Sequence, residues 1–207
     1  MIISNDKIQP TFKSVFADMW DKVPEVIRKR YACRPYSDDK IEVRGWLDIT
    51  YSPIIRLFLP LLKLFGALMP YEGREVSSTI YFHSETDSNA FCFDRKIHYE
   101  GGKEGRFQSK MYPYKEYQVL EYIRFGVGVK LKYEYDGKDT VRLKHHGYFW
   151  KIFGLLVPMP FALLFGRAYG EEVVVSKSEF KMKAGAKHFL LGTMFEYKGQ
   201  FKIIGSI

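Results

Sequence analysis

Four ionisable residues fall where a period-two reading puts them on the apolar face of a strand. In Phe91-x-Phe93-x-Arg95-x-Ile97 an arginine shares the side of two phenylalanines. Val119-x-Glu121-x-Ile123 and Tyr169-x-Glu171-x-Val173-x-Val175 place a glutamate there, and Val141-x-Leu143-x-His145 a histidine. If these faces line one cavity, Arg95, Glu121, His145 and Glu171 form an internal polar cluster walled by Phe91 and Phe93. An arginine fork holds a carboxylate or phosphate head group while an aromatic wall holds an apolar tail. Glutamate and histidine in one cavity are also the parts of general acid–base catalysis, because burial brings both toward neutrality. The same pattern fits internal ion pairs with a structural role alone, and a one-residue slip or a bulge turns a whole face outward.

Other chemistries find less support. His145 and His146 are adjacent, so on a strand they point to opposite faces and do not chelate one ion; no metal site is expected. Cys33 and Cys92 lack the spacing of a disulfide framework or a zinc site. Ser84, Ser88 and Ser109 have no nucleophile elbow around them. Gly101-Gly102 and Gly126-x-Gly128 join strands to strands, whereas a phosphate loop feeds a helix N-terminus. No cofactor is expected. Lys130 and Lys132 alternate with Val129, Leu131 and Tyr133, so base-stacking aromatics and cations do not share a face, and a nucleic-acid partner is disfavoured.

The elements that must position the cluster are mostly strands. Alternation marks a first strand at 40–51 and then 76–84, 89–99, 104–112, 117–125, 128–136, 139–148, 168–176, 178–185 and 193–204, joined by short turns such as Asp136-Gly137-Lys138-Asp139. Residues 10–31 carry Phe12, Val15, Phe16, Met19, Val23, Val26 and Ile27 at helical steps, interrupted by Pro24. The expected fold is α+β, mainly β: one curved or barrel-like antiparallel sheet of roughly ten strands, an N-terminal helical region, and one or two apolar helical insertions. One domain over 1–207 is expected, with no linker dividing it.

The insertions are 53–70 and 148–165, both strongly apolar and broken by Pro60 in the first and by Gly154, Pro158 and Pro160 in the second. A lipid-exposed backbone broken by proline leaves carbonyls unsatisfied, so spanning helices are disfavoured. Phe58, Leu61, Phe65, Phe153, Phe161 and Phe165 are the expected lid or membrane-facing surface. Lysine and arginine number 32 against 24 acidic residues, a formal +8 that favours anionic partners in general. The short patch Arg28-Lys29-Arg30 is read as a solvated helix end. Residues 1–7 lack the pattern of a secretory leader, and the expected location is cytoplasmic or peripheral to a membrane.

Several stretches in order along the chain resemble an uncharacterised bacterial family, a domain of unknown function found alone or C-terminal to saccharopine-dehydrogenase-like and other Rossmann domains. They are Met19-Trp20 with Pro24, Gly45-x-Leu47, Ala90-Phe-x-Phe-x-Arg95, Phe125-Gly-x-Gly128, His146-Gly147-Tyr148, Pro158-x-Pro160, Gly166-Arg167-Ala168, Glu171-Glu172, His188-x-Leu190-x-Gly192 and Tyr197-x-Gly199-x-Phe201. The resemblance implies a module serving an oxidoreductase or a lipid or isoprenoid pathway, with redox chemistry supplied by a partner.

The leading expectation is a binding module for a hydrophobic or amphipathic anionic small molecule, lipid- or isoprenoid-like, held in an internal pocket. Two alternatives stand beside it: an enzyme using carboxylate and histidine acid–base chemistry in the same cavity, and a peripheral membrane or oligomerisation domain, including a homodimer.

Overall fold

The computed structural model describes residues 9–206; the expectation concerning residues 1–7 lies outside the described residues. Eleven antiparallel strands follow one another as β1 (Lys40–Tyr51), β2 (Gly73–Glu85), β3 (Ser88–His98), β4 (Glu104–Lys115), β5 (Gln118–Tyr122), β6 (Val127–Tyr135), β7 (Thr140–Ile152), β8 (Leu155–Met159), β9 (Arg167–Val174), β10 (Glu179–His188) and β11 (Gly192–Ser206). Their order is β6-β5-β4-β3-β2-β1-β11-β10-β9-β7-β8, and β6 also pairs with β7. That last pairing closes ten strands into a barrel and removes the open edges a sheet of this size would expose. β8 is the extra strand, hanging on the C-terminal half of β7.

Closure needs tight coiling where β1 meets β11, and two glycines permit it. A Cβ on Gly45 would stand 1.9 Å from the Gln200 carbonyl oxygen, and one on Gly199 equally close to that of Trp46. Across this seam Gly45 opposes Phe201 and Leu47 opposes Gly199, so large and small residues interdigitate.

Because neighbours run antiparallel, connections alternate between two ends. One end is a floor, filled by residues 10–33. Here α1 (Lys13–Phe16) and α2 (Glu25–Arg30) are separated by a tight turn over 17–19, and Pro24 is the residue that caps α2. Phe12, Phe16 and Tyr31 are fully buried; the Phe12 ring lies 4.4 Å from that of Tyr31, 4.8 Å from Phe91 and 5.5 Å from Tyr133. Arg30, expected at a solvated helix end, is 2% exposed and points into the barrel.

The other end is a rim built from the two apolar segments. α3 (Pro53–Leu64) starts on Ser52, whose Oγ accepts from Ile55 N at 3.3 Å, with Pro53 in the first turn where its missing N–H costs nothing. It stops at Gly66 (φ 62°), where Gly66 N donates to Lys63 O and Ala67 N to Leu62 O, both at 2.9 Å. The second segment departs from expectation. Residues 148–152 extend β7, Phe153-Gly154 turn with φ of 47° and 82°, β8 returns, and only α4 (Ala162–Phe165) is helical. Positive φ at both central residues is the hairpin geometry that suits twisted strands, and Pro158 is tolerated because β8 is an edge.

Candidate ligand chamber

Between the floor and the rim the barrel encloses a cavity of about 480 Å³. Phe58, Leu62 and Phe65 of the α3 region roof it, Phe161 and Phe165 close its side, and Phe93, Phe107, Leu131 and Tyr197 are among its wall residues. The α3 end is pinned from below: Tyr197 Oη accepts from Met69 N at 3.1 Å, and Tyr51 Oη donates to Met69 O. A larger hollow of about 640 Å³ on the outer face, bounded by Asp38, Lys40, Tyr81 and Lys96, is open to solvent and is shaped by Lys40 over the Tyr81 ring at 4.2 Å.

Polar atoms enter the chamber at two places. From the floor, Arg30 forms an ion pair with Glu172 of β9, whose other oxygen accepts from Tyr31 Oη at 2.9 Å. The guanidinium carbon lies 4.7 to 4.9 Å over the rings of Phe82, Tyr31 and Phe180. Burial pushes the Arg30 pKa down, and the Glu172 charge and hydrogen bond together with the Tyr31 and Tyr133 hydroxyls more than restore it. Arg30 Nε is buried without a hydrogen-bond partner among the described residues. Burial likewise pushes the Tyr31 hydroxyl up, so it stays a donor.

From the wall, Arg95 of β3 lies 4.7 Å over both Phe93 and Phe107. Its Nη1 donates to Ser109 Oγ at 3.3 Å, and its nearest carboxylate oxygen, Glu121 Oε1, is 3.9 Å from Nη2. Burial draws the Arg95 pKa down, Glu121 opposes this, and the Arg30 charge adds to the fall. Two buried cations thus face a chamber in which one carboxylate is paired with Arg30 and Tyr31 and the other is held loosely.

The residues expected from sequence divide accordingly. Arg95, Glu121 and Phe93 line the chamber. Phe91 is buried behind it, packed on Phe12 and Phe82. Glu171 borders the cavity, but its carboxylate is 39% exposed and accepts from Arg142 Nε at 3.1 Å on the outer face. Its neighbour Glu172 turns inward, because β9 directs Ala168, Gly170, Glu172 and Val174 at facing core residues of β10, Glu172 opposing Met182. On β9 the buried carboxylate is therefore that of Glu172, while that of Glu171 pairs with Arg142.

His145 opposes Leu131 in the ladder, and its ring lies 4.5 Å from that of Tyr148, which lines the chamber. Burial, then the charges of Arg167 and His146, bring its pKa down to about 4. Its Nδ1 is buried without a hydrogen-bond partner among the described residues, so His145 is not joined to either glutamate as an acid–base dyad. The thiols of Cys33 and Cys92 are each pushed up to about 12, chiefly by burial, which removes the thiolate a nucleophile needs.

Phe58, Leu61, Phe65, Phe161 and Phe165 all contribute to the chamber, whereas Phe153 stands wholly exposed at the β7–β8 turn. Sequence reasoning missed Arg30, Glu172 and Ser109. The signal for Arg30 was present, since it lies three residues after Ile27 and four after Val26, on the buried helix face.

No curated protein matches the chain. Among solved structures, the S-type phycobiliprotein lyase CpeS from Guillardia theta is similar at 9% identity, with 97% of each chain covered and a TM-score of 0.34. Residues 23–201, which take in all eleven strands apart from the end of β11, both arginines and the rim, match the family described as "Domain of unknown function (DUF4166)", and the chain belongs to that family.

Proposed function

We propose that the barrel binds a hydrophobic or amphipathic anionic small molecule, its apolar body among the phenylalanines and its acidic head against Arg95, with Arg30 Nε beneath. The observation that carries this is the enclosed, ring-lined volume of about 480 Å³ with a buried arginine only loosely paired. Chambers of roughly 300–1,000 Å³ with a few convergent polar groups suit small organic ligands. A guanidinium with donors to spare suits a carboxylate or phosphate. Any redox step on the held molecule would come from a partner oxidoreductase, in keeping with the resemblance to domains found beside Rossmann domains.

Dansylaminoundecanoic acid and its methyl ester test the reading. The acid is expected to brighten on binding, and Arg95→Met/Glu121→Gln, which removes both charges together, is expected to weaken it about tenfold, the worth of one charge-assisted hydrogen bond. The ester is expected to bind the variant and the parent alike. No brightening with either probe, together with a native mass spectrum free of adducts, would sink the proposal.

A further inference from the structure

The rim that roofs the chamber is more than a cover. Its outward side is apolar as well: Phe153 is wholly exposed, and Leu57, Leu155, Phe189 and Leu190 each keep more than two thirds of their surface in solvent. Two of these, Phe189 and Leu190, come from the β10–β11 turn, outside both apolar segments singled out in the sequence. The parts are physically joined. Phe65 and Phe125 rings lie 5.6 Å apart, Trp150 Nε1 donates to Phe125 O at 2.8 Å, and His188 Nε2 lies 3.1 Å from Leu163 O. Exposed apolar surface gathered from four separate connections at one end of a barrel marks an interaction site.

Charge identifies the partner. The rim segments 53–70, 123–126, 148–168 and 186–192 contain Arg56, Lys63, Arg124, Lys151, Arg167 and Lys187 and no aspartate or glutamate, and the β3–β4 connection at the same end adds Glu100 and Lys103, which offset each other. Among the described residues only Arg56 of these has a carboxylate partner, Glu72 at 2.8 Å. A second copy seated by a two-fold axis would set this collar of five unneutralised cations against itself. An anionic lipid surface would meet it with the opposite sign and would also accept the phenyl and leucyl side chains. Among the described residues no helix is long and apolar enough to cross a membrane.

We infer that the rim end docks on an anionic phospholipid bilayer, with Phe153, Leu155, Phe189 and Leu190 inserted at the interface and Lys63, Arg124, Lys151, Arg167 and Lys187 on the head groups. The chamber lies directly beneath that end, under Phe58, Leu62 and Phe65, so its ligand exchanges with the membrane there. This second statement rests on the ligand reading above; the docking does not.

Co-sedimentation of the full chain with vesicles of phosphatidylcholine, with and without one third phosphatidylglycerol, tests it. The protein is expected to pellet with the anionic vesicles at low salt and to be released near 1 M salt, where the Debye length shrinks to about 3 Å. Phe153→Ser/Leu190→Ser and Lys151→Glu/Lys187→Glu alter exposed side chains that do not line the chamber, and each pair is expected to lower partitioning at least tenfold while the dansyl probe still binds. Absence of pelleting at low salt, or pelleting unchanged by both pairs, overturns the docking. So does a dimer in sedimentation that the Phe153→Ser/Leu190→Ser pair abolishes. Pelleting without probe binding would overturn the ligand reading and leave the docking in place.

Discussion

At the scale of single residues, the heaviest demand falls on Arg30 and Glu172. Removing one partner of a buried ion pair leaves a charge without compensation, at a cost of about 3–5 kcal/mol, whereas replacing both by apolar groups costs much less. Urea unfolding is therefore expected to show Glu172→Gln strongly destabilised and Arg30→Met/Glu172→Leu much less so; equal losses would mean that packing, not charge, is what the pair supplies. His145 adds a pH term. Its folded pKa of about 4 lies below the ordinary value near 6.5, so the unfolded chain binds the extra proton first. Its contribution is fully present above pH 6.5 and is lost as pH falls toward 4. Thermal melts between pH 7 and 5 should fall for the parent and stay flat for His145→Phe.

These residues were unequally legible. Arg95 could be read because it shares a face with Phe91 and Phe93 on β3, and Glu121 because it alternates with Val119 and Ile123. On β9 the set facing the core of β10 contains Ala168 and Gly170 while the other contains Tyr169 and Val173, so hydropathy favours the face of Glu171 and gives no signal for the buried Glu172.

At the scale of elements, the period-two signal located every barrel strand, since each has one dry face and most are joined by turns that contain Gly, Asp or Pro. It failed on 148–165, where a continuous apolar run carries no period and helix and strand look alike. The Phe153-Gly154 turn and the edge position of Pro158 decided for a hairpin. The glycine pair that lets β1 and β11 close is a testable element property. Gly199→Ala is expected to lose about 1–3 kcal/mol, as overpacking against backbone does, while Gly205→Ala, with open space around its Cβ position, stays near the parent. Equal denaturation midpoints for the two would show that the seam is slacker than 1.9 Å implies.

At the scale of the whole molecule, one strand serves two masters. The first half of β7 pairs with β9 as far as Lys144–Tyr169, and its second half pairs with β8 from Tyr148–Met159 onward. Residues 145–147 lie between, without a ladder partner on that side among the described residues, while on the other side the register with β6 shifts at the same level and Gly147 has φ of 123°. Local opening free energies follow such gaps. Amides of His145–Gly147 are expected to exchange hydrogen faster than those of Val141–Leu143, and protection equal to that of their neighbours would count against the gap.

The mechanical consequence is a flap hung on a closed tube. Tyr148, Phe149 and Trp150 stay paired with Val129, Gly128 and Val127 of β6, whereas β8 and α4 hang outside the ten-strand hoop. This flap can therefore swing away for a guest too wide for the roof without breaking a rung of the barrel.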